Sequence, residues 1–172
     1  KGEVWVITGD YKTDPDRVSG NYELLKCNTL ITETTFALPI YQWQPQAFTM
    51  REILNWYAYN LAMGKSSVLL AYALGKSQRI IQNIPEEISI YTHTTVEDTN
   101  KVLRESGLQL RKTIQINSRV AKKDIQRGIT IAPSSILNTP LMRALESPTL
   151  GYASGWMALN RFRKQQTAEA GF

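Results

Sequence analysis

Helical and strand-like hydrophobic patterns alternate along the chain from residue 49 to residue 155, and this alternation limits the possible folds more than any other feature. Apolar residues at helical intervals, such as Met50, Ile53 and Tyr57, give way to short β-branched runs. The predicted helices cover 49–64, 72–84, 94–107 and 139–146. The predicted strands cover 67–71, 88–91 and 129–133, and 151–155 is predicted to be a short strand or a turn. Such alternation predicts an α/β fold in which a mostly parallel sheet is flanked by helices.

Two further strands are predicted before this alternating region. Val4-Trp-Val-Ile7 has the pattern of a buried strand that ends at the tight loop Thr8-Gly-Asp10. The run from Thr29 to Phe36 predicts a second strand, in which Glu33 stands among β-branched neighbours that favour burial. Each of these strands therefore carries one carboxylate at its end or within it.

Asp10 and Glu33 are the carboxylates that this pattern singles out. A buried carboxylate is costly unless it is paired, so such residues usually face a metal ion, a cation or backbone amides. From spacing alone, Asp10 also fits a turn or cap aspartate. For Glu33, a structural hydrogen bond or ion pair competes with a functional role.

The chain is 172 residues long, which is enough for one sizeable core, and the change of period between Pro39 and Pro45 predicts a boundary there. Its net charge of +5 is unevenly distributed: residues 1–100 carry 8 basic and 11 acidic side chains, whereas residues 101–172 carry 12 and 4. The basic clusters comprise Arg111, Lys112, Arg119, Lys122, Lys123, Arg127, Arg161, Arg163 and Lys164. Such clusters attract polyanions, and a solvated basic face is the alternative.

Few residues of the chain suit other kinds of chemistry. The single histidine, His93, is expected to have a structural role, and the single cysteine, Cys27, is expected to be a packed small residue in a reducing compartment. Gly64-Lys-Ser66 and Gly75-Lys-Ser77 lack the earlier glycine of a phosphate-binding P-loop, which weakens the interpretation of the chain as a nucleotide-binding protein. No apolar run approaches the ~20 residues of a membrane span, so no membrane partner is expected.

Several short motifs, taken in their order and spacing, carry a family resemblance. They are Val4-Trp-Val-Ile-Thr-Gly-Asp-Tyr-Lys12, Leu30-Ile-Thr-Glu-Thr-Thr-Phe-Ala-Leu-Pro39, Tyr72-Ala-Leu-Gly-Lys-Ser-Gln-Arg79, Ile131-Ala-Pro133, Ala153-Ser-Gly-Trp-Met157 and Ala170-Gly-Phe172. Together they resemble the metallo-β-lactamase nucleases that carry a β-CASP insertion, and most of all the bacterial ligase-associated DNA exonucleases, which are related to mRNA 3′-end processing factors.

The resemblance implies a domain organisation, a metal site and a substrate. Residues 1–42 and 156–172 would belong to a metallo-β-lactamase domain, and residues 43–155 to a β-CASP domain. Asp10 would bridge two metal ions, expected to be zinc, and Glu33 would support that catalytic site. The cations expected to bind nucleic acid are Lys76, Arg79, Arg161 and Arg163. The implied activity is the hydrolysis of phosphodiester bonds, in DNA rather than RNA, by a cytoplasmic exonuclease that works in DNA repair beside a DNA ligase system.

The sequence also departs from the family pattern. The family's histidine-rich metal motif would precede Lys1 and its later histidines would follow Phe172, whereas His93 lies outside the matched motifs. The chain is therefore expected to be an internal fragment that cannot assemble a dinuclear site and is inactive by itself. The alternative is a non-catalytic α/β module that binds nucleic acid or serves in assembly, and in which the two carboxylates have structural roles.

Overall fold

The computed structural model describes residues 2–39, 41–154 and 170–172 of the chain. They form two compact units, Lys1–Gln42 and Trp43–Phe172, called here the amino-terminal unit and the sheet unit. No helix among these residues is both long enough and apolar enough to cross a membrane. The assignment of the chain to a metallo-β-lactamase domain and a β-CASP domain stays a prediction.

The amino-terminal unit contains a parallel pair of short strands, β1 (Trp5–Ile7) and β2 (Thr29–Ile31). The prediction that these strands are buried is wrong, because Trp5 is 58% exposed and Ile7 is 73% exposed. A single pair of strands offers too little surface to enclose its own apolar side chains. Strand β2 also ends five residues earlier than predicted, so Glu33 lies in the loop after the strand instead of within it.

A parallel sheet of six strands forms the centre of the sheet unit, as far as the described residues show. The strands are β3 (Ser66–Leu70), β4 (Ile90–Thr92), β5 (Ile114–Gln115), β6 (Ile129–Ala132), β7 (Pro148–Tyr152) and β8 (Ala170–Gly171). Their order across the sheet is β5-β4-β6-β3-β7-β8, and all neighbours run parallel. The first strand of this unit, β3, therefore lies between β6 and β7, and it is buried along its whole length.

Helices pack on both faces of this sheet. They are α1 (Gln46–Ala62), α2 (Lys76–Ile81), α3 (Thr94–Glu105), α4 (Lys122–Gln126), a 3-10 helix (Ser134–Asn138) and α5 (Pro140–Ala144). Buried side chains of α1, α2 and α3 share one core with Leu69 of β3. Those of α4, the 3-10 helix and α5 share a second core with Val68 and Leu70. Because successive strand residues point to opposite faces, β3 contributes to both cores.

The predicted α/β class, with a mostly parallel sheet flanked by helices, is confirmed. Helix α1 begins three residues before its predicted start, because the extended residue Pro45 precedes it and Thr49 lies inside the helix. Helix α2 begins at Lys76 instead of residue 72, because Gly75 has a φ of +80° that interrupts helical geometry. The hydrophobic pattern does not predict β5, α4 or β8, since two to five residues are too few to show a period.

The carboxylate of Glu97 on α3 lies at the centre of a buried polar network. Glu97 is 5% exposed, and its Oε2 accepts hydrogen bonds from Thr92 Oγ1 at 2.8 Å and from Thr113 Oγ1. Its Oε1 pairs with Arg104 Nη1 at 2.9 Å. Burial by itself raises the pKa of the Glu97 carboxyl. The hydrogen bonds from these three side chains and the charge of Arg104 outweigh burial and hold the pKa below its ordinary value.

We expect Glu97 to make the stability of the sheet unit depend on pH. Because the pKa of Glu97 is lower in the folded chain than in the unfolded chain, its ionised form stabilises the fold above about pH 4.5. This contribution is lost as the pH falls through the lowered folded-state pKa. Urea unfolding of the chain should show a lower free energy of unfolding for Glu97→Gln near neutral pH, and a smaller further loss in acid than the wild type suffers.

Glu105→Gln is the matched control, because Glu105 is an exposed residue at the end of the same helix. It should leave both the free energy of unfolding and its pH dependence close to those of the wild-type chain. If Glu97→Gln lost as much stability in acid as the wild type does, Glu97 would not be the group responsible.

Candidate nucleic-acid interface

The carboxyl ends of the parallel strands bring several loops to one edge of the sheet unit, called here the carboxyl edge. Strand β3 leads through the loop 71–75 into α2, on the face of the first core. The neighbouring strand β6 leads into the 3-10 helix, on the opposite face. Where two adjacent strands continue into helices on opposite faces of a sheet, the loops that follow them diverge and leave a crevice between them. Ligands of α/β sheets bind in such crevices. The carboxyl edge beside β3 and β6 is therefore the candidate ligand site of this unit.

Two fully buried polar side chains, Ser77 and Gln78, hold the loop between β3 and α2. Ser77 Oγ donates a hydrogen bond to the carbonyl oxygen of Tyr72 at 2.6 Å, and Gln78 Nε2 donates to that of Ala73 at 2.9 Å. Gln78 Oε1 accepts from the backbone N–H of Gly75 at 2.6 Å. The positive φ of Gly75 disfavours any larger side chain there. Hydrogen bonds from two buried side chains therefore hold the backbone of the loop.

This fixed loop presents large side chains to solvent. Tyr72 is 71% exposed and Leu74 is 67% exposed. The Nζ atom of Lys76 lies 5.5 Å from the centroid of the Tyr72 ring, which is within the range of a cation–π contact. Burial of the amine, and secondly the nearby charge of Arg79, lower the pKa of Lys76. The loop thus displays an aromatic ring, and the first residue of α2 places an ammonium group over one face of that ring.

The structure brings together two of the four cations that the resemblance predicts for nucleic-acid binding. Lys76 and Arg79 are half-buried residues of α2, and their spacing of three places them on one side of that helix. The electrostatic effect of Arg79 on the pKa of Lys76 agrees with this proximity. Arg161 and Arg163 lie outside the described residues.

His93 also lies at the carboxyl edge, directly after β4. Its Nδ1 accepts a hydrogen bond from the backbone N–H of Thr95 at 3.2 Å, so the imidazole caps the first turn of α3. This capping contact is the kind of structural role predicted for the single histidine.

The sequence analysis did not single out Tyr72 as a candidate site residue. The available signal is an aromatic residue just after a buried strand.

Asp10 and Glu33 follow the two adjacent strands of the amino-terminal unit. Asp10 comes three residues after β1, and Glu33 comes two residues after β2. The two loops meet where Thr8 Oγ1 and Thr32 Oγ1 lie 3.5 Å apart. Glu33 is half-buried, and its Oε2 accepts a hydrogen bond from the backbone N–H of Thr35 at 2.8 Å. The parallel pairing therefore places both carboxylates at the same end of the ladder.

Two carboxylates do not complete the dinuclear metal centre that the resemblance implies. Zinc in proteins is held by sets of nitrogen, oxygen and sulfur ligands, and catalytic sites use about three protein ligands for each ion. Within residues 2–39, 41–154 and 170–172, no three His, Cys, Asp or Glu residues form a group that could hold a metal ion. The described residues therefore do not fit a two-zinc site by themselves, and Asp10 and Glu33 offer only part of a ligand set.

Two half-buried arginines of the basic half are engaged in hydrogen bonds within the fold. The guanidinium of Arg111 donates four hydrogen bonds, of 2.6 to 2.8 Å, to backbone carbonyls of residues 84–88. The guanidinium of Arg104 is shared between Glu97 and nearby backbone oxygens. Lys112, next to Arg111, is exposed. The surface charge available to a polyanion is therefore smaller than the sequence count indicates.

Comparison with known proteins gives a partial match. The chain is 22% identical over 152 residues to a protein of Opitutus terrae named as a probable DNA ligase. The aligned segment covers 88% of this chain but 15% of the length of that protein. No family model matches the chain. The similarity therefore concerns a small part of a much longer relative.

Replacing Gln78 by methionine should destabilise the loop 71–75 and with it the sheet unit. The substitution preserves side-chain length but leaves the N–H of Gly75 and the carbonyl oxygen of Ala73 without the amide that now binds them. A buried polar group that loses its hydrogen bond costs about 1–3 kcal/mol, so the free energy of unfolding in urea should fall by about that amount. Gln109→Met, at an exposed side chain, should change it by less than about 0.5 kcal/mol. Equal losses in both variants would contradict the assigned role.

Arg111→Met should also destabilise the chain, although Arg111 belongs to the most basic stretch of the sequence. Hydrogen bonds from a charged donor contribute about 1.5–3 kcal/mol, so a loss of at least that size is expected in the free energy of unfolding. Arg111→Lys should recover only part of it, because an ammonium group cannot reproduce the planar fork of a guanidinium. The matched control is Lys112→Met, which should stay within about 0.5 kcal/mol of wild type. A stable Arg111→Met variant would place this arginine among the surface charges.

Proposed function

We propose that this chain is part of an enzyme of DNA metabolism, and more specifically of a metal-dependent nuclease that hydrolyses phosphodiester bonds in DNA. The observation that carries the proposal is the placement of Asp10 and Glu33 at the same end of two adjacent parallel strands, in loops that touch. The similarity to a protein named as a probable DNA ligase supports the link to DNA.

Paired carboxylates in neighbouring loops suit phosphodiester hydrolysis. Carboxylate oxygens bind divalent cations, and such cations lower the pKa of bound water and stabilise charge on the attacking and leaving oxygens. In this proposal Asp10 is a metal ligand, and Glu33, oriented by the N–H of Thr35, supports the site. Because the described residues lack a complete ligand set, the remaining ligands would have to come from residues other than these.

Binding of the DNA is assigned to the carboxyl edge of the sheet unit. Lys76 and Arg79 supply positive charge there. Arg161 and Arg163 lie outside the described residues and stay proposed contacts of the DNA on the family resemblance alone. Contacts between cations and phosphates release condensed counterions, so this binding should weaken steeply as salt is added. The proposed setting is DNA repair in the cytoplasm, beside a DNA ligase.

The second candidate function is a non-catalytic module that binds nucleic acid. It is favoured by the carboxyl edge, where a fixed loop joins an aromatic ring to cations without any metal-binding group among the described residues. This candidate predicts salt-dependent DNA binding and no nuclease activity, whichever divalent cation is added.

The decisive experiment is a nuclease assay with the complete product of the gene that encodes this chain, in the presence of Zn²⁺ or Mn²⁺. Asp10→Asn should lower the rate of phosphodiester hydrolysis by at least about 100-fold, because the amide is a much weaker metal ligand, and Glu33→Gln by about 10- to 100-fold. DNA affinity, measured by fluorescence anisotropy, should remain close to wild type in both variants.

Asp14→Asn is the matched control, since Asp14 is an exposed aspartate that lies four residues further along the loop that carries Asp10. It should keep full activity. Full activity in Asp10→Asn would remove the metal-binding role of Asp10. A wild-type protein that binds DNA but cleaves none with any divalent cation would favour the binding module.

A further inference from the structure

We propose that Tyr72 and Lys76 form a binding site for one unpaired nucleotide, in which the base stacks on the Tyr72 ring and Lys76 contacts the adjacent phosphate. The inference deepens the proposed function, on which it rests, by naming the substrate class as single-stranded nucleic acid. Its residues lie at the carboxyl edge of the sheet unit, at the loop that follows the central strand β3.

The conformation of this loop does not depend on its exposed side chains. The carbonyl oxygens of Tyr72 and Ala73 are bound by Ser77 and Gln78, both of which are fully buried. Gln78 is in turn fixed to Asn100 of α3 by a hydrogen bond of 2.8 Å. Tyr72 and Leu74 therefore project from a rigid base, although no core contact of their own requires large apolar side chains at these positions.

The Tyr72 ring is 71% exposed, so little of its apolar surface is buried and it contributes little to the stability of the fold. Aromatic rings on nucleic-acid-binding surfaces have a distinct use, because every base has a flat face that can stack on them. A base that is paired within a duplex is already stacked on both sides, so such a ring favours unpaired bases. The exposed Tyr72 ring thus favours single-stranded over double-stranded nucleic acid and does not distinguish one base from another.

Lys76 adds the charge that a nucleotide requires. Its Nζ lies over the ring of Tyr72, 5.5 Å from the centroid, so a base that stacks on the other face of the ring has a cation close to it. Arg79 lies on the same side of α2 and provides a second cation for the neighbouring phosphate. The helix and its preceding loop thus offer one ring for a base and two cations for phosphates.

The test measures binding of the 172-residue chain to labelled oligonucleotides of about 12 nucleotides, a length within the usual site size for single strands. Three DNA probes are used: a single strand, the same strand with abasic sites throughout, and a blunt duplex. Tyr72→Ala should weaken binding of the single strand about tenfold, and Tyr72→Phe, which keeps the ring, should bind like wild type. Neither substitution should alter binding of the abasic strand, because it retains the phosphates but offers no base to stack.

Lys76→Met tests the phosphate contact by a different readout. The slope of log affinity against log salt for the single strand should become shallower by about 0.7, the value for one lost phosphate contact, whereas Tyr72→Ala should leave the slope unchanged.

An RNA strand of the same sequence shows whether the unpaired nucleotide comes from DNA or from RNA. A tenfold effect of Tyr72→Ala on DNA and RNA alike assigns the site to both, and an effect on one alone assigns it to that nucleic acid.

Tyr59→Ala is the matched control, because Tyr59 is 61% exposed but lies near the end of α1 that leads into the amino end of β3. It should change no affinity. If Tyr72→Ala and Tyr59→Ala bind the single strand equally well, the stacking site is overturned, while salt-dependent binding by wild type still supports the proposed function. If the wild-type chain binds neither the single strand nor the duplex, both the stacking site and the assignment of DNA binding to the carboxyl edge are wrong.

Discussion

A hydrogen bond between two buried amides, Gln78 Nε2 and Asn100 Oδ1, joins the candidate interface to the interior of the sheet unit. Gln78 determines the position of the loop 71–75, while Asn100 also contacts the carboxylate of Glu97 and the hydroxyl of Thr113. A polar chain thus runs from the loop after the central strand, through α3, to the segment that leads into β5. Because buried polar groups are costly when their partners are lost, a change at any member is transmitted to the others.

The contacts of the half-buried cations divide them into two groups. Arg104 and Arg111 use their guanidinium groups to neutralise a carboxylate and to bind backbone carbonyls, so their charge stabilises the fold. Lys76 instead lies over the exposed ring of Tyr72 at the carboxyl edge, and Arg79 is close enough to Lys76 to affect its pKa. Net charge alone therefore overstates the attraction for a polyanion. The position of a few cations beside an aromatic ring has more consequence for binding than the total.

The periodicity of apolar residues predicts the class of the fold but not the candidate site. Apolar spacing predicts α1 and short apolar runs predict the central strands, whereas α3 is predicted from the capping-box spacing of Thr94 and Glu97. Apolar spacing fails at the start of α2, where the local geometry of Gly75 overrides a continuous apolar pattern. It also fails for Gln78, whose role depends on Asn100, a residue 22 positions away that only the folded chain brings into contact. The family resemblance implies roles for Lys76 and Arg79, but it does not predict that Tyr72 is exposed beside them.

The way in which the loop is held has a consequence for affinity. A binding loop that becomes ordered only with its ligand loses conformational entropy in the process, and that loss subtracts from the affinity. Here the backbone of the loop 71–75 is bonded to side chains of the protein itself, Ser77 and Gln78. Binding therefore requires only that the side chains of Tyr72 and Lys76 be restrained. A site with few contacts can hold a nucleotide under these conditions, because little of its interaction energy is spent on ordering the protein.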